Sequence, residues 1–323
     1  MRILLGIPCF NEENHLDKTL QDLILDLREY STSLVIIVFD DASTDQSVQI
    51  ALKAGVKVHA NRSNRGLGGN FREIINHAIA GNFDYLLTVD ADGQFPSAEV
   101  KKVLVTALEN NSDVTLASRF LNKEWAKDVP KARVQGNRIV CAIVNLISGK
   151  KVSDATCGLR VYSRSSLMML HPTEKFSYTV ESITQILLAN MKVTEVPIQV
   201  IYFEDRNSTI SGSLVRYGMK TIGIASRLAL SFALTRLLRK STWLVSIGIM
   251  IEILFLYRSQ RTGEFRGNLY ICLSGAMIFL IGFTSFFFSL ISSKLDLNIR
   301  ISLMTQRIAI ASNPECSQCI ESV

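Results

Sequence analysis

The chain has 323 residues, enough for one large domain with an addition, and its 48% hydrophobic content and positive mean hydropathy are high for a purely soluble protein. The net charge of +6 gathers beside the apolar region that begins at Thr242, with Arg227, Arg236, Arg239 and Lys240 before it and Lys294, Arg300 and Arg307 after it. That pattern suits anionic lipid headgroups, whereas the absence of basic residues interleaved with aromatics, or of a recognisable module, excludes a nucleic-acid partner. Cys9, Cys141, Cys157, Cys272, Cys316 and Cys319 show no disulfide-framework spacing, and "MRILLGIPCFNEE" has too short an apolar run for a secretory signal. Both features suit a cytosolic soluble part. Cys316 and Cys319 form a lone CxxC, read as part of a plain tail because a second pair for zinc is missing.

In chain order, "RILLGIP" is expected as a strand, and residues 15–30 as a helix with Leu16, Leu20, Leu23 and Leu27 at helical spacing. "SLVIIVFD" is a second strand, followed by a helix at 45–54, the strand "VKVHA" and a helix at 69–80. "YLLTVD", a helix at 98–109 and "DVTLAS" complete the alternation. Near-continuous Ile, Leu and Val imply strands covered on both faces, so the fold class is α/β, a mostly parallel doubly wound sheet. Residues 130–161 read as an irregular basic segment with Lys131, Arg133 and Arg138, ending in "DATCGLRVYSR". A helix at 179–190 and the strand "KVTEVPIQVIYFEDR" follow.

Residues 214–238 mix Ile222, Leu228, Phe232 and Leu237 with Arg216, Lys220 and Arg236, as an amphipathic interfacial helix does. Two membrane spans are expected next. Residues 269–291 carry no charge and are long enough for a bilayer core of about 30 Å. Residues 242–257 are shorter and include Glu252, a carboxylate that costs ~3 kcal/mol in a span unless it faces protein or is protonated. Arg258, Arg261 and Arg266 between them leave positive charge at both ends, so the positive-inside rule does not set the orientation. Because no further layer of sequence remains to bury these segments, a transmembrane hairpin is expected rather than two core helices. The boundaries are then 1–213 for the catalytic domain, 214–240 for the interfacial segment, 241–293 for the hairpin and 294–323 for the tail.

Ligands bind such sheets outside the carboxyl ends of the strands, and polar signals fall at five of those ends: "PCFNEE", "DDASTD", "NRGLGGN", "DADGQ" and "SRF". Asp90 and Asp92, at i and i+2, point the same way from an extended chain. Convergent carboxylates repel unless a cation sits by them, and Mg²⁺ is held by one or two carboxylates plus substrate phosphates. Alone, such a pair is better explained by a turn, which favours Asp and Gly; its companions at the other strand ends point to a ligand. Asp40 is read as accepting hydrogen bonds from a base or ribose, while Asp41 is open between that role and a turn in which Ser43 or Thr44 caps a helix. The glycines of "NRGLGGN" suit a close approach of phosphate to backbone amides.

"GIPCFNEE", "VFDDASTD", "NRGLGGNFREI", "VDADGQFP", "ASRF" and "DATCGLRVYSR" occur in the order seen in glycosyltransferase family 2, and over residues 1–240 the chain resembles its polyprenyl-phosphate branch, the dolichol-phosphate mannose synthase-like enzymes. The resemblance implies the GT-A nucleotide-diphospho-sugar transferase fold and inverting transfer of a hexose, from GDP-mannose or UDP-glucose, to dolichyl or undecaprenyl phosphate. It also implies Mg²⁺ or Mn²⁺ and a multi-pass membrane protein with its catalytic domain in the cytosol. Pro8, Phe10, Glu12, Val38 and Asp40 would line the nucleoside pocket; Asp90, Ala91 and Asp92 would hold metal and diphosphate, with Gln94 beside them. Arg119 and Arg206 would contact the diphosphate or the acceptor phosphate, and Arg133 matches the acceptor loop. "RNSTISGS" lacks the lysine of the family's G-x-S-K run, for which Arg216 or Lys220 would have to substitute. Catalytic roles fall to Asp92, Arg119 and Asp154, the last read equally well as a base, an acceptor-orienting carboxylate or a turn cap before Gly158, while Glu181 orients its neighbours.

A lipid monophosphate is already anionic at neutral pH, its second pKa being about 6, so it needs little help from a base. A processive polysaccharide synthase is disfavoured because Trp125 and Trp243 lie in no QxxRW run, and a nucleotidyltransferase because "PCFNEEN" is acidic. The remaining alternatives are a membrane-tethered nucleotide-sugar-binding scaffold and a different acceptor. The sequence does not decide whether the chain forms a homo-oligomer.

Overall fold

The computed structural model describes residues 1–202, 219, 222–224, 226, 242–263 and 269–312. The chain divides into two compact units, Met1–Arg227 with Met304–Val323, and Leu228–Leu303.

In the first unit, β1 (Ile3–Cys9), β2 (Leu34–Asp40), β3 (Lys57–Ala60), β4 (Tyr85–Thr88), β5 (Val114–Ser118), β6 (Arg160–Ser163) and β7 (Val193–Pro197) form one sheet in the order β3-β2-β1-β4-β6-β5-β7. All pairings are parallel except those of β6, which runs antiparallel to both β4 and β5. Around the sheet are α1 (Leu16–Asp26), α2 (Ser47–Lys53), α3 (Leu67–Ala80), α4 (Ser97–Asn110), α5 (Lys131–Ser148), α6 (Arg164–Met169) and α7 (Thr179–Leu188). The period-2 alternation of strand side chains explains the two layers. On β1, Leu4 joins Phe71, Ile74, Val140 and Ile183 from α3, α5 and α7 on one face. Ile3, Leu5 and Ile7 join Leu16, Leu20, Ala51 and Val103 from α1, α2 and α4 on the other.

Most expected elements occur with shifted ends. The helix expected at 15–30 closes at Asp26, and a 3₁₀ turn, Arg28–Tyr30, follows. The segment expected to be irregular instead holds α5, an 18-residue helix. Its inward residues Asn137, Val140, Cys141 and Val144 keep helical spacing, a signal that the Gly136 and basic-residue composition of the segment overshadowed. Pro130 precedes the helix and Gly149, at φ 69°, ends it. The strand expected at 192–206 is paired only over Val193–Pro197. The interfacial segment at 214–240 lies almost wholly outside the described residues, as do Arg206, Arg216, Lys220, Cys316 and Cys319.

The second unit contains α8 (Thr242–Thr262) and most of α9 (Leu269–Ser312). Trp243–Thr262 and Leu269–Phe288 are each long and apolar enough to cross a membrane, and only 11% of either stretch is buried, unlike the core helix of a soluble protein. The helices meet at small residues: a Cβ added at Gly248 would lie 2.6 Å from the Phe279 nitrogen, and one at Gly282 would lie 2.6 Å from the Val245 nitrogen. Glu252 faces this contact, since its Oε1 lies 2.8 Å from where Gly275 would carry a Cβ. A protein-facing placement is the one in which a carboxylate in a span is least costly.

In the first unit, residues 172–175 pack onto α3. Arg72 Nη1 donates to the carbonyls of Pro172, Thr173 and Glu174 at 3.2–3.3 Å, and Gly68 N donates to Lys175 O at 2.9 Å. A Cβ on Gly68 would fall 2.0 Å from the Glu174 oxygen, whereas one on Gly136 meets nothing within 4 Å. Gly68→Ala is expected to destabilise the protein by about 2 kcal/mol, because main chain must move to admit the methyl. Gly136→Ala is expected to stabilise it by about 0.5 kcal/mol, by lowering the entropy lost on folding. Unfolding midpoints of the two variants, which should move in opposite directions, check this.

Candidate active site

Strand β6 explains why the loop before it joins the others. Its first residue, Arg160, pairs with Thr88 at the end of β4, because an antiparallel strand begins where its parallel neighbours finish. Residues 154–159 therefore lie at the same sheet end as the loops after β1, β2, β4 and β5.

After β1, Asn11 adopts φ 55° and binds the loop after β2: its N–H donates to Ser43 Oγ at 2.9 Å, and its Oδ1 accepts from Thr44 N at 2.8 Å. Glu12 N donates to Ser47 Oγ at 2.9 Å. Ser43 and Thr44 thus bind the first loop rather than cap α2, whose first amide, Ser47 N, donates to Asp45 Oδ1 at 2.9 Å instead. Pro8 and Val38 are buried within the sheet, Val38 completely, while Phe10 and Glu12 are half-buried. The Val38 side chain is enclosed in the core, which leaves only its main chain to line a pocket.

Asp40 and Asp41 divide sharply. Asp41 accepts from Arg65 N and Gly66 N, both at 2.8 Å, and from Asn61 Nδ2 at 3.1 Å, so it holds the turn leading into α3. Asp40 is 2% exposed; Oδ2 accepts from Ser43 N at 3.0 Å, while Oδ1 is buried with no hydrogen-bond partner. A buried acceptor in that state is costly unless a ligand donor meets it. The phosphate cradle expected at "NRGLGGN" does not form: Gly66 N is taken by Asp41 and Gly68 N by Lys175 O, and the glycines admit residues 172–175 instead. Glu181 holds those residues from the far side, accepting from Thr173 N at 2.9 Å and Glu174 N at 3.0 Å.

After β4, Asp92 Oδ1 accepts from Gln94 N at 3.0 Å across Gly93, at φ 70°. The turn reading is thus correct, and it leaves Asp90 and Asp92 half-exposed at the sheet end, with Ala91 buried between them. Gln94, nearly buried, accepts from Ile201 N through its carbonyl at 2.9 Å. Asp90 rests on Gly158, where an added Cβ would lie 2.9 Å from Oδ2 and 3.0 Å from Oδ1. Gly158 has no positive φ, so space rather than backbone conformation requires glycine there.

The Gly158 carbonyl accepts from Thr88 Oγ1 at 2.8 Å and from the Tyr178 hydroxyl at 3.2 Å. Tyr178 stacks on Phe71 with ring centres 3.7 Å apart. Burial and the charge of Asp90 push its phenol well above the ordinary value, which keeps it a donor. Arg160, fully buried, has no carboxylate partner among the described residues. It donates to the carbonyls of Cys157, Thr179 and Ala155 at 2.8–2.9 Å, and so ties this loop to the start of α7. Sequence reasoning passed over Arg160, Gly158 and Tyr178 as site residues. The available signal was an arginine inside "GLRVYS", a run otherwise suited to the sheet interior.

Arg119 and Asp154 bind one another. Nε donates to Oδ2 at 2.7 Å and Nη2 to Oδ1 at 2.9 Å; Oδ1 also accepts from Thr156 N, Thr156 Oγ1 and Cys157 N, each at 3.1 Å. Burial would raise the Asp154 carboxyl, but the Arg119 charge and these donors outweigh it and hold the group below the usual range. Asp154 is therefore a saturated, ionised turn cap with no lone pair for a substrate proton, which argues against the base reading. The Arg133 guanidinium lies 5.2 Å from the ring centre of Tyr202, whose hydroxyl is buried without a partner. No cluster of three or more His, Cys, Asp or Glu exists among the described residues, so a cation beside Asp90 and Asp92 would take its other ligands from a bound phosphate or from water.

Asp154→Asn is expected to destabilise the protein by about 3 kcal/mol at neutral pH, since it leaves a buried guanidinium without its charge partner. The folded-state pKa of Asp154 is depressed, so this stabilisation is present above the unfolded value of about 4 and is lost as pH falls below it. Unfolding midpoints of wild type and Asp154→Asn should therefore converge as the pH drops below about 4.

Residues 5–170 match glycosyl transferase family 2. An uncharacterised protein of Methanocaldococcus jannaschii is 32% identical over 205 residues, covering 62% of this chain and 82% of that protein. The UDP-N-acetylglucosamine–dolichyl-phosphate N-acetylglucosaminyltransferase of Methanococcus voltae is 28% identical over 238 residues, covering 68% and 92%. The polyprenol monophosphomannose synthase of Mycolicibacterium smegmatis is 25% identical over 241 residues, covering 70% and 89%. Among solved structures, the glucosyl-3-phosphoglycerate synthase of Mycobacterium tuberculosis, in complex with Mn²⁺, UDP and phosphoglyceric acid, superposes with a TM-score of 0.51 at 17% identity. That match covers 69% of this chain and 78% of the other, and it shows a shared fold. The strand-end loops, the sheet they crown and the extent of the family match lead to one conclusion: this chain belongs to glycosyltransferase family 2.

Proposed function

We propose that the chain transfers a hexose from a nucleotide-diphospho-sugar to a polyprenyl phosphate, inverting the anomeric centre. The observation that carries this reading is the loop at residues 154–158, which backs Asp90 through Gly158 and holds Arg119 through Asp154. One short segment thus serves both the carboxylate pair suited to a donor diphosphate and the guanidinium suited to an acceptor phosphate. The names of the Methanococcus voltae and Mycolicibacterium smegmatis relatives support a polyprenyl-type acceptor.

In this reading Asp40 Oδ1 accepts from the nucleoside, with Pro8, Phe10, Glu12 and the Val38 main chain around it. Asp90, Ala91 and Asp92 face the diphosphate, with Gln94 beside them; Arg206, outside the described residues, is assigned to the same phosphates from the sequence alone. Two half-exposed carboxylates, with no cluster of three His, Cys, Asp or Glu among the described residues, fit Mg²⁺ or Mn²⁺, which would neutralise the charge on a departing diphosphate. Arg119, with Nε and Nη2 fixed by Asp154, and Arg133 orient the acceptor phosphate. An acceptor oxygen attacks the anomeric carbon as the bond to the diphosphate breaks, and the bonding pair leaves with the diphosphate. No proton need be removed from the phosphate, so no base is required. Residues 1–213 would be catalytic and cytosolic, and residues 241–293 would anchor them as a multi-pass membrane protein beside the lipid acceptor.

Membranes containing the protein, incubated with labelled nucleotide sugars and then extracted for lipid-linked product, should show metal-dependent transfer that Asp92→Asn abolishes while the protein stays folded. Near wild-type transfer by Asp92→Asn would sink the metal role. Gly158→Ala should raise the Mn²⁺ concentration for half-maximal rate by about tenfold, because its methyl displaces Asp90. An unchanged Mn²⁺ requirement would show that Gly158 does not position Asp90.

A further inference from the structure

Helix α5 has two faces with different fates. Asn137, Val140, Cys141 and Val144 point into the core. On the opposite side Ile139 is 47% and Leu146 is 78% exposed, with Ala142 exposed between them and Lys131 and Gln135 exposed at the start of the same stripe. Arg138 flanks the stripe in the open. Residues 121–151 carry seven basic side chains against Glu124 and Asp128 alone, so the apolar stripe lies in a basic field. Arg133, in the first turn of this helix, is directed elsewhere, onto the ring of Tyr202.

We propose that this outer face of α5 rests on an anionic bilayer surface, with Ile139 and Leu146 in the headgroup boundary and Lys131 and Arg138 against lipid phosphates. The inference rests on the polyprenyl-phosphate reading, and it names how the acceptor is approached. An apolar stripe bordered by lysine and arginine is the pattern of a helix lying in a membrane interface. The same chain carries two helices of bilayer length. A second copy of the chain fits less well, because a two-fold contact would set this basic field against itself. The comparably exposed Leu25 and Leu52, on α1 and α2, lack that field; Asp17, Asp22 and Asp26 accompany Leu25. The docked face would bring the start of α5, and Arg133 with it, to the depth at which a lipid phosphate emerges.

The test uses the full chain in proteoliposomes of phosphatidylcholine with and without phosphatidylglycerol. With acyl-brominated lipid, Leu146→Trp should show quenching beyond the native tryptophan background, more strongly with phosphatidylglycerol, and Leu52→Trp should not. The double variant Ile139→Asp, Leu146→Asp should raise the KM for bilayer-embedded polyprenyl phosphate by about fivefold. Its kinetics with a short, water-soluble prenyl phosphate should match wild type, and its unfolding midpoint should be unchanged because both side chains are exposed. Transfer with an unchanged KM and no quenching at position 146 would overturn the docking face alone. A change in oligomeric state of the double variant, without quenching at position 146, would assign the face to a protein contact and overturn the proposal. Quenching at position 146 with no transfer to either prenyl phosphate would support bilayer contact and overturn the acceptor reading instead.

Discussion

The site depends on how the loop at residues 154–158 is held in place by two buried guanidiniums of opposite design. Arg119 is neutralised by Asp154 in a two-pronged pair. Arg160 has only carbonyls and hydroxyls around it. A charge removed from water needs either an opposite charge or enough oriented dipoles to replace its hydration. Arg160 takes the second route, and its three carbonyl partners come from two segments, Ala155 and Cys157 on one side and Thr179 on the other. The loop cannot move away from α7 without stripping a buried cation. Tyr178 closes the arrangement, since its hydroxyl binds Gly158 while its ring lies on Phe71.

The sequence revealed the sheet and its functional end because both follow from short-range signals. Apolar runs mark strands, and polar residues at their carboxyl ends mark where ligands gather. Asp40 and Asp41 show where such reasoning stops. The residues are adjacent and identical, yet one caps a turn 24 residues away and the other keeps a buried oxygen unpaired. Only tertiary packing separates them. The glycines of "NRGLGGN" misled in a related way: glycine signals a close approach, but not whether phosphate or residues 172–175 make it. Helix α5 was missed although Asn137, Val140, Cys141 and Val144 keep helical spacing; its basic residues and Gly136 drew the reading toward a loop, a local cue that the periodicity should have overruled.

The apolar helices were legible from composition, although α8 reaches Thr262 instead of stopping near residue 257. What composition could not give was the direction of Glu252. The glycines at 248, 275 and 282 let α8 and α9 approach closely, and the carboxylate lies in that contact. Van der Waals fit at small residues is the force that associates helices in lipid, where the hydrophobic effect gives no advantage to contact.

The antiparallel insertion of β6 also bears on the order in which the chain acquires its parts during synthesis. Strands β1 to β4 are neighbours in the order β3-β2-β1-β4 and come from the first 88 residues, so they can pair as soon as they leave the ribosome. That nascent sheet already holds Asp40 and its unpaired oxygen. The aspartates that follow β4 remain without their backing, because Gly158 arrives 68 residues after Asp90 and reaches it only when β6 docks along β4. The Asp40 corner of the sheet end is thus specified by the first 88 residues, whereas the Asp90 corner is complete only once residues 158–163 have been made. Closing the sheet is the event that brings both corners into one structure.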